Sequence, residues 1–201
     1  MNFKKVLEPF LQNYNDERVN KYRAEYENNI KEKRLLFIKN TTPKEFINAR
    51  IENIDKRIIN FMENGKLFCW ISGVKGVGKT YSLYAIRNFL ILSKGNIYFE
   101  VQMEGELCYD INFKRINAVD NLGISESKFK FLADYYFNLI DWSWKQHKKL
   151  YLTSTLSHEK WIEILSNYNT EAAEAIASRF SNNIEIIDLG NIDRRKIKNE
   201  M

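Results

Sequence analysis

GVKGVGKT, Gly73 to Thr80, places three glycines and two lysines within eight residues, in a chain of 201 residues that has only eight glycines altogether. The stretch satisfies G-x-x-x-x-G-K-[ST]; it follows directly on the apolar run LFCWIS (67–72) and directly precedes a helical pattern. That context gives the pattern a mechanism. Glycine lets the chain curl through conformations other residues avoid, so that successive backbone N–H groups face one anion, and the helix that follows points its positive end at the same place. The spacing therefore predicts a phosphate loop. Gly73 opens it, Gly76 and Gly78 allow close approach to a β-phosphate, Lys79 offers a compact positive charge to the β- and γ-phosphates, and the Thr80 hydroxyl is the expected Mg2+ ligand. Val74, Lys75, Val77 and Tyr81 complete the stretch expected to surround the nucleotide.

Such a site needs an acidic residue at the end of a neighbouring strand to hold Mg2+. Asp120 fits: it is the first polar residue past the apolar run INAV (116–119), at the carboxyl edge where open α/β sheets bind ligands. The next residue, where a hydrolytic site would carry a second carboxylate, is Asn121. An amide can hydrogen-bond an attacking water but cannot take its proton, so slow hydrolysis is expected. Glu100, Glu104 and Glu106 are the nearby carboxylates that folding could bring in as substitutes.

Outward from this centre, short apolar runs alternate with helical patterns. LFCWIS, NIYFEVQM (96–103), INAV, LYLTST (150–155) and IEIIDL (184–189) read as buried strands. Between them lie a helix from Lys79 to Ser93, a long one from Ser125 to Gln146, and a pair within 157–180. Strands alternating with helices predict an α/β fold, a five-stranded parallel sheet flanked by helices. In the long helix Phe129, Leu132, Tyr136, Leu139 and Ser143 form one stripe, read as core. Upstream, Thr42, Pro43 and the spacing of Ile47, Ile51, Ile54, Ile58 and Phe61 predict one amphipathic helix closed by Asn64-Gly65. Residues 1–41 are polar and charged, and read as a short helical N-terminal arm ahead of the nucleotide-binding domain, 42–201.

Composition sets the outer bounds. At 44% apolar and 14% aromatic residues the chain can bury a substantial core, and a formal charge of +5 permits nucleic-acid contact without arguing for it. Cys69 and Cys108, and likewise His147 and His158, are too isolated for metal-ligand spacing, and a reduced cytoplasmic protein is expected. Glu8 and Pro9 interrupt the only candidate leader, and no apolar run approaches the roughly 20 residues of a membrane span.

Taken together, TTPKEFINARIENI, GKLFCWISGVKGVGKTYSLYAIRNFL, INAVDNLGISESKF, KLYLTSTLSHEKWIEIL and AIASRFSNNIEIIDLGNIDRR resemble the DnaC/DnaI/IstB branch of AAA+ ATPases, bacterial replicative helicase loaders and related transposition helpers, over residues 42–195. The resemblance implies ATP and Mg2+ as cofactors, and Asp120 as the acidic residue of the Mg2+-binding strand. It puts Thr155 where the family has an asparagine that senses the γ-phosphate. Arg179 matches the arginine finger that reaches a neighbouring subunit's nucleotide, which implies self-association through Arg179. Arg194 and Arg195 match the basic segment closing the family's C-terminal end. The implied partners are a replicative DNA helicase, met by the N-terminal arm, and single-stranded DNA, although VQMEGELCYDINFKR replaces the family's DNA-facing helix and loop.

Three functions follow as expectations. The first is an ATP-binding helicase loader or loader-like replication factor with weak hydrolysis. A DNA-stimulated AAA+ ATPase serving a transposase or recombinase is the second, and a non-catalytic AAA+ interaction protein the third.

Overall fold

The computed structural model describes residues 17–96, 98–104, 113, 115–123 and 126–194. The chain divides into two compact units, Met1–Lys44 and Glu45–Met201. The described part of the first unit, residues 17–44, contains a 25-residue helix, α1 (Glu17–Thr41), in which Tyr22, Tyr26, Leu35 and Leu36 are exposed.

The second unit is built on five strands: β1 (Phe68–Ser72), β2 (Glu100–Met103), β3 (Ile116–Leu122), β4 (Leu150–Ser154) and β5 (Ile184–Asp188). They form one parallel sheet in the order β2-β3-β4-β1-β5. Every residue of β1 and β4 is buried, which is why both read as unbroken apolar runs rather than alternating ones. Helices cover both faces. On one side Phe68, Trp70, Val119 and Leu152 pack against α4 (Glu126–Lys145), α5 (His158–Tyr168) and α6 (Thr170–Phe180). On the other, Cys69, Ile71, Ala118 and Tyr151 pack against α2 (Lys56–Glu63) and α3 (Lys79–Lys94).

Local chemistry sets the helix ends. The side chains of Asp55, Ser157 and Asn169 accept from Arg57 N, Lys160 N and Ala172 N at the starts of α2, α5 and α6. Gly95, in the left-handed region, closes α3. Trp70 and Trp161, both fully buried, pack 5.3 Å apart, and Trp70 Nε1 donates to Leu156 O. His158 lies against Trp70 and Phe180; burial lowers its pKa against the opposing pull of Glu159, and burial likewise pushes the Cys69 thiol up. Along the stripe expected in α4, Tyr136, Leu139 and Ser143 are buried and Leu132 partly so, while the side chain of Phe129 lies outside the described residues.

One expected element is corrected. The single helix read from Thr42 to Phe61 is instead two short 3-10 turns, Lys44–Phe46 and Ile51–Asn53, followed by α2. The cause is a side chain far along the sequence. Asn88 on α3 donates its amide hydrogens to Phe46 O, Ile47 O and Ala49 O, carbonyls that a continuous helix would have used internally. Arg50 N donates to Tyr81 Oη instead of to a backbone carbonyl, and Asp55 caps a fresh helix start. Ile54, Ile58 and Phe61 still reach the core; the periodicity marked the buried face correctly and the continuous helix wrongly.

Candidate nucleotide site

β1 and α3 meet at the loop Gly73–Gly78, on the carboxyl edge of the sheet. Gly73 sits at φ 139°, and a Cβ there would lie 2.9 Å from Gly190 O and 3.0 Å from Val77 Cγ1; any side chain would push the loop off the segment behind it. Gly78, at φ 110°, is the residue from which α3 starts. The loop is backed by the chain that leaves β5: Leu189 N donates to Ser72 O, Val74 N to Gly190 O and Arg194 N to Gly76 O. Within the loop Val77 is buried and Val74 and Lys75 are exposed, and Tyr81, in the first turn of α3, accepts from Arg50 N and Asn53 Nδ2.

Lys79 is 6% exposed, and its ammonium donates to Gly73 O and, at 3.0 Å, to Val74 O. Burial lowers its pKa, and the nearby Asp120 opposes that shift. The ammonium is thus held at the loop by neutral carbonyls, weaker partners than a phosphate oxygen. The next residue makes the contact on which the reading turns. Thr80 Oγ1 donates to Asp120 Oδ2 at 2.7 Å, joining the first turn of α3 to the end of β3 across 40 residues of sequence.

Asp120 is fully buried, and its second oxygen accepts from Thr153 Oγ1 on β4. Thr153 Oγ1 in turn accepts from Asn121 N at 3.0 Å. Asn121 lies at φ 64°, and the β3–β4 register shifts between Val119 and Leu122, so this hydroxyl ties a bulge in the strand to the carboxylate. Lys79, Thr80, Asp120 and Thr153 form a cation, a hydroxyl and a carboxylate braced by a second hydroxyl. That set suits Mg2+ held by Thr80 and Asp120 beside a phosphate chain. Among the described residues no group of three or more His, Cys, Asp or Glu is placed to hold a metal, so a divalent ion here would draw oxygens from its nucleotide.

Thr153 was missed in the sequence, although its signal was present: a hydroxyl inside the apolar run LYLTST. Thr155 lies just past β4 and is exposed. Arg179 is on the last turn of α6, where its guanidinium is engaged by Asp141 of α4. Arg195, Glu106 and Cys108 lie outside the described residues. Of the other candidate carboxylates, Glu100 opens β2, at the strand's amino end and away from the loop. Glu104 is buried and accepts from Gly123 N and Tyr136 Oη on the α4 side of the sheet. Among the described residues no helix is long and apolar enough to cross a membrane.

No family model matches the chain, and no curated protein matches it. Among solved structures it is similar to the crystal structure of DnaI, with 19% identity and a TM-score of 0.54, covering 77% of this chain and 95% of that one. It is also similar to a protein from Streptococcus pyogenes serotype M3 provisionally assigned as a primosome component, with 14% identity, a TM-score of 0.49, and coverage of 74% and 89%. The first likeness establishes a DnaI-like fold.

Proposed function

We propose, from the DnaI-like fold and the Lys79–Thr80–Asp120 geometry, that this chain is an ATP-binding helicase loader or loader-like replication factor in which bound nucleotide serves as an assembly switch. The observation that carries the reading is the Thr80–Asp120 hydrogen bond, because it brings the two Mg2+-binding oxygens together directly beside the buried Lys79. The loop N–H groups and Lys79 hold the phosphates, and Thr80 and Asp120 hold Mg2+. When bound, Mg2+ neutralises charge on the phosphate chain. Thr153 keeps the Asp120 carboxylate turned toward Thr80. Arg179 reaches the nucleotide of a second copy, which makes self-association depend on the ligand. The helical arm meets a replicative helicase, single-stranded DNA is a further partner, and the compartment is the cytoplasm.

Hydrolysis is weak in this reading. Asn121 supplies no base, Glu104 is already engaged by Gly123 N and Tyr136 Oη, and Glu100 sits at the wrong end of its strand. The test is ATP binding and steady-state turnover on one sample, with and without single-stranded DNA, with Lys79→Ala as the blank, followed by co-sedimentation with a replicative helicase. Mg2+-dependent binding, negligible turnover and nucleotide-dependent helicase association are expected. Brisk DNA-stimulated turnover abolished by Asp120→Ala would replace this reading with the transposase-helper ATPase, and failure to bind ATP at millimolar concentration would replace it with the non-catalytic interaction protein.

A further inference from the structure

Arg179 is held within its own chain by three hydrogen bonds and two aromatic rings. Its Nε and Nη2 both donate to Asp141 Oδ1, at 3.2 and 2.9 Å, and Nη1 donates to Ala175 O at 3.2 Å. The rings of Phe137 and Trp144 flank the guanidinium, each centroid 5.6 Å from Cζ. Residues 137, 141, 144 and 145 are spaced to share one face of α4, so a single helix presents the whole cradle. The carboxylate is shared: Asp141 Oδ2 binds the Lys145 ammonium at 2.6 Å. Burial disfavours ionisation of Asp141, and Lys145 and Arg179 outweigh it, holding the carboxyl below its usual range. The cluster is open to the surface, with the Arg179 side chain 25% exposed and Trp144 41% exposed.

We infer that Asp141 is a positioning residue for Arg179, gripping the guanidinium fork where a phosphoryl group of a nucleotide on a second copy of this chain would grip it, so that nucleotide-dependent self-association must draw Arg179 away from Asp141. This rests on the proposed self-association through Arg179 and names the group with which the nucleotide competes. Nε and Nη2 converge on one carboxylate oxygen, Asp141 Oδ1, an edge of the guanidinium that a phosphate oxygen can equally take, and the phosphate carries more charge. Lys145 makes the exchange feasible. With a second cation in place, departure of Arg179 does not leave a buried carboxylate unpaired, which would otherwise oppose release.

Sedimentation velocity of the full chain with and without Mg2+-ATP, run beside thermal melts, tests the inference. Asp141→Asn is expected to bring nucleotide-dependent association to about fivefold lower protein concentration, the scale of one partly exposed ion pair. Asp141→Glu should return it toward wild type, and Arg179→Ala or Arg179→Lys should abolish or weaken it in either background. Lys145→Ala alters an exposed side chain, tolerable to the fold, and should shift association the opposite way, to higher concentration. If wild type associates with ATP and Asp141→Asn lowers only the melting temperature while Lys145→Ala changes nothing, the pair is packing alone and the inference falls. Absence of ATP-dependent association in wild type and Asp141→Asn alike would overturn the self-association reading, and the inference with it.

Discussion

Lysines at both ends of this sheet, Lys79 buried and Lys148 and Lys149 half-buried, donate to main-chain carbonyls. At the carboxyl edge, Lys79 bonds Gly73 O and Val74 O. At the amino edge, Lys149 bonds Phe61 O, Asn64 O and Lys66 O and lies over the Phe61 ring, closing the end of α2. Beside it Lys148 bonds Phe113 O and Ile116 O and lies over Trp142. The chemistry of the individual bonds is the same; the surroundings differ. Lys149 answers carbonyls that a helix end leaves without partners, a local structural need. Lys79 rests on a loop that begins a helix, beside Thr80 and Asp120, where the phosphate of the proposed nucleotide would offer a better partner than either carbonyl. A lysine held by carbonyls therefore supports the proposed nucleotide site only in company with a helix start and a carboxylate.

Substitution should separate the two ends cleanly. Lys79→Ala is expected to weaken ATP binding on the order of 100-fold, the scale of a lost charge-assisted hydrogen bond, with the melting temperature held or raised because a desolvated cation has gone; calorimetric titration and a melt read both. Lys149→Met should do the reverse, costing about 2–3 kcal/mol in denaturant unfolding while ATP affinity stays at wild type. If Lys149→Met weakened nucleotide binding as much as Lys79→Ala, the distinction between the two ends would collapse.

Two smaller effects sharpen it. Thr153→Val keeps the shape and removes the hydroxyl that braces Asp120, so ATP affinity at limiting Mg2+ should fall about tenfold, with rescue by Thr153→Ser. At the amino edge the readout is pH. Burial pushes the Lys148 pKa down to about 8, against the pull of Glu100, from an ordinary 10.5. Between those values the unfolded chain binds more protons than the folded one, so the Lys148 contribution to stability rises as pH increases from about 8 to 10.5. Unfolding curves of wild type and Lys148→Met across that window should diverge, wild type gaining relative to the variant; parallel curves would show that Lys148 stays charged in the fold.

The region around Asn88 shows how far local pattern carries. The apolar spacing of 47–61 identified Ile54, Ile58 and Phe61 as core, because side-chain burial depends on which residues are apolar. It misread the backbone between them, because the carbonyls of Phe46, Ile47 and Ala49 are taken by an amide some forty residues later. The strand–loop–helix geometry was legible for the opposite reason: Gly73, Gly78, Lys79 and Thr80 are neighbours in sequence as in space, and the backbone they need is their own.

What the sequence determined by itself was what near neighbours set: the β1–loop–α3 unit and the alternation that builds a parallel sheet; Asp120 was read as following a strand that in fact runs two residues beyond it, to Leu122. What only the tertiary structure decided was which distant groups meet. Thr153 reaches Asp120 because β4 lies beside β3, the chain after β5 backs the loop because β5 lies beside β1, and Asp141 holds Arg179 because α4 packs on α6. The physical reason is that a hydroxyl or a carboxylate is generic in sequence, and acquires a role only from the partner that packing brings within about 3 Å.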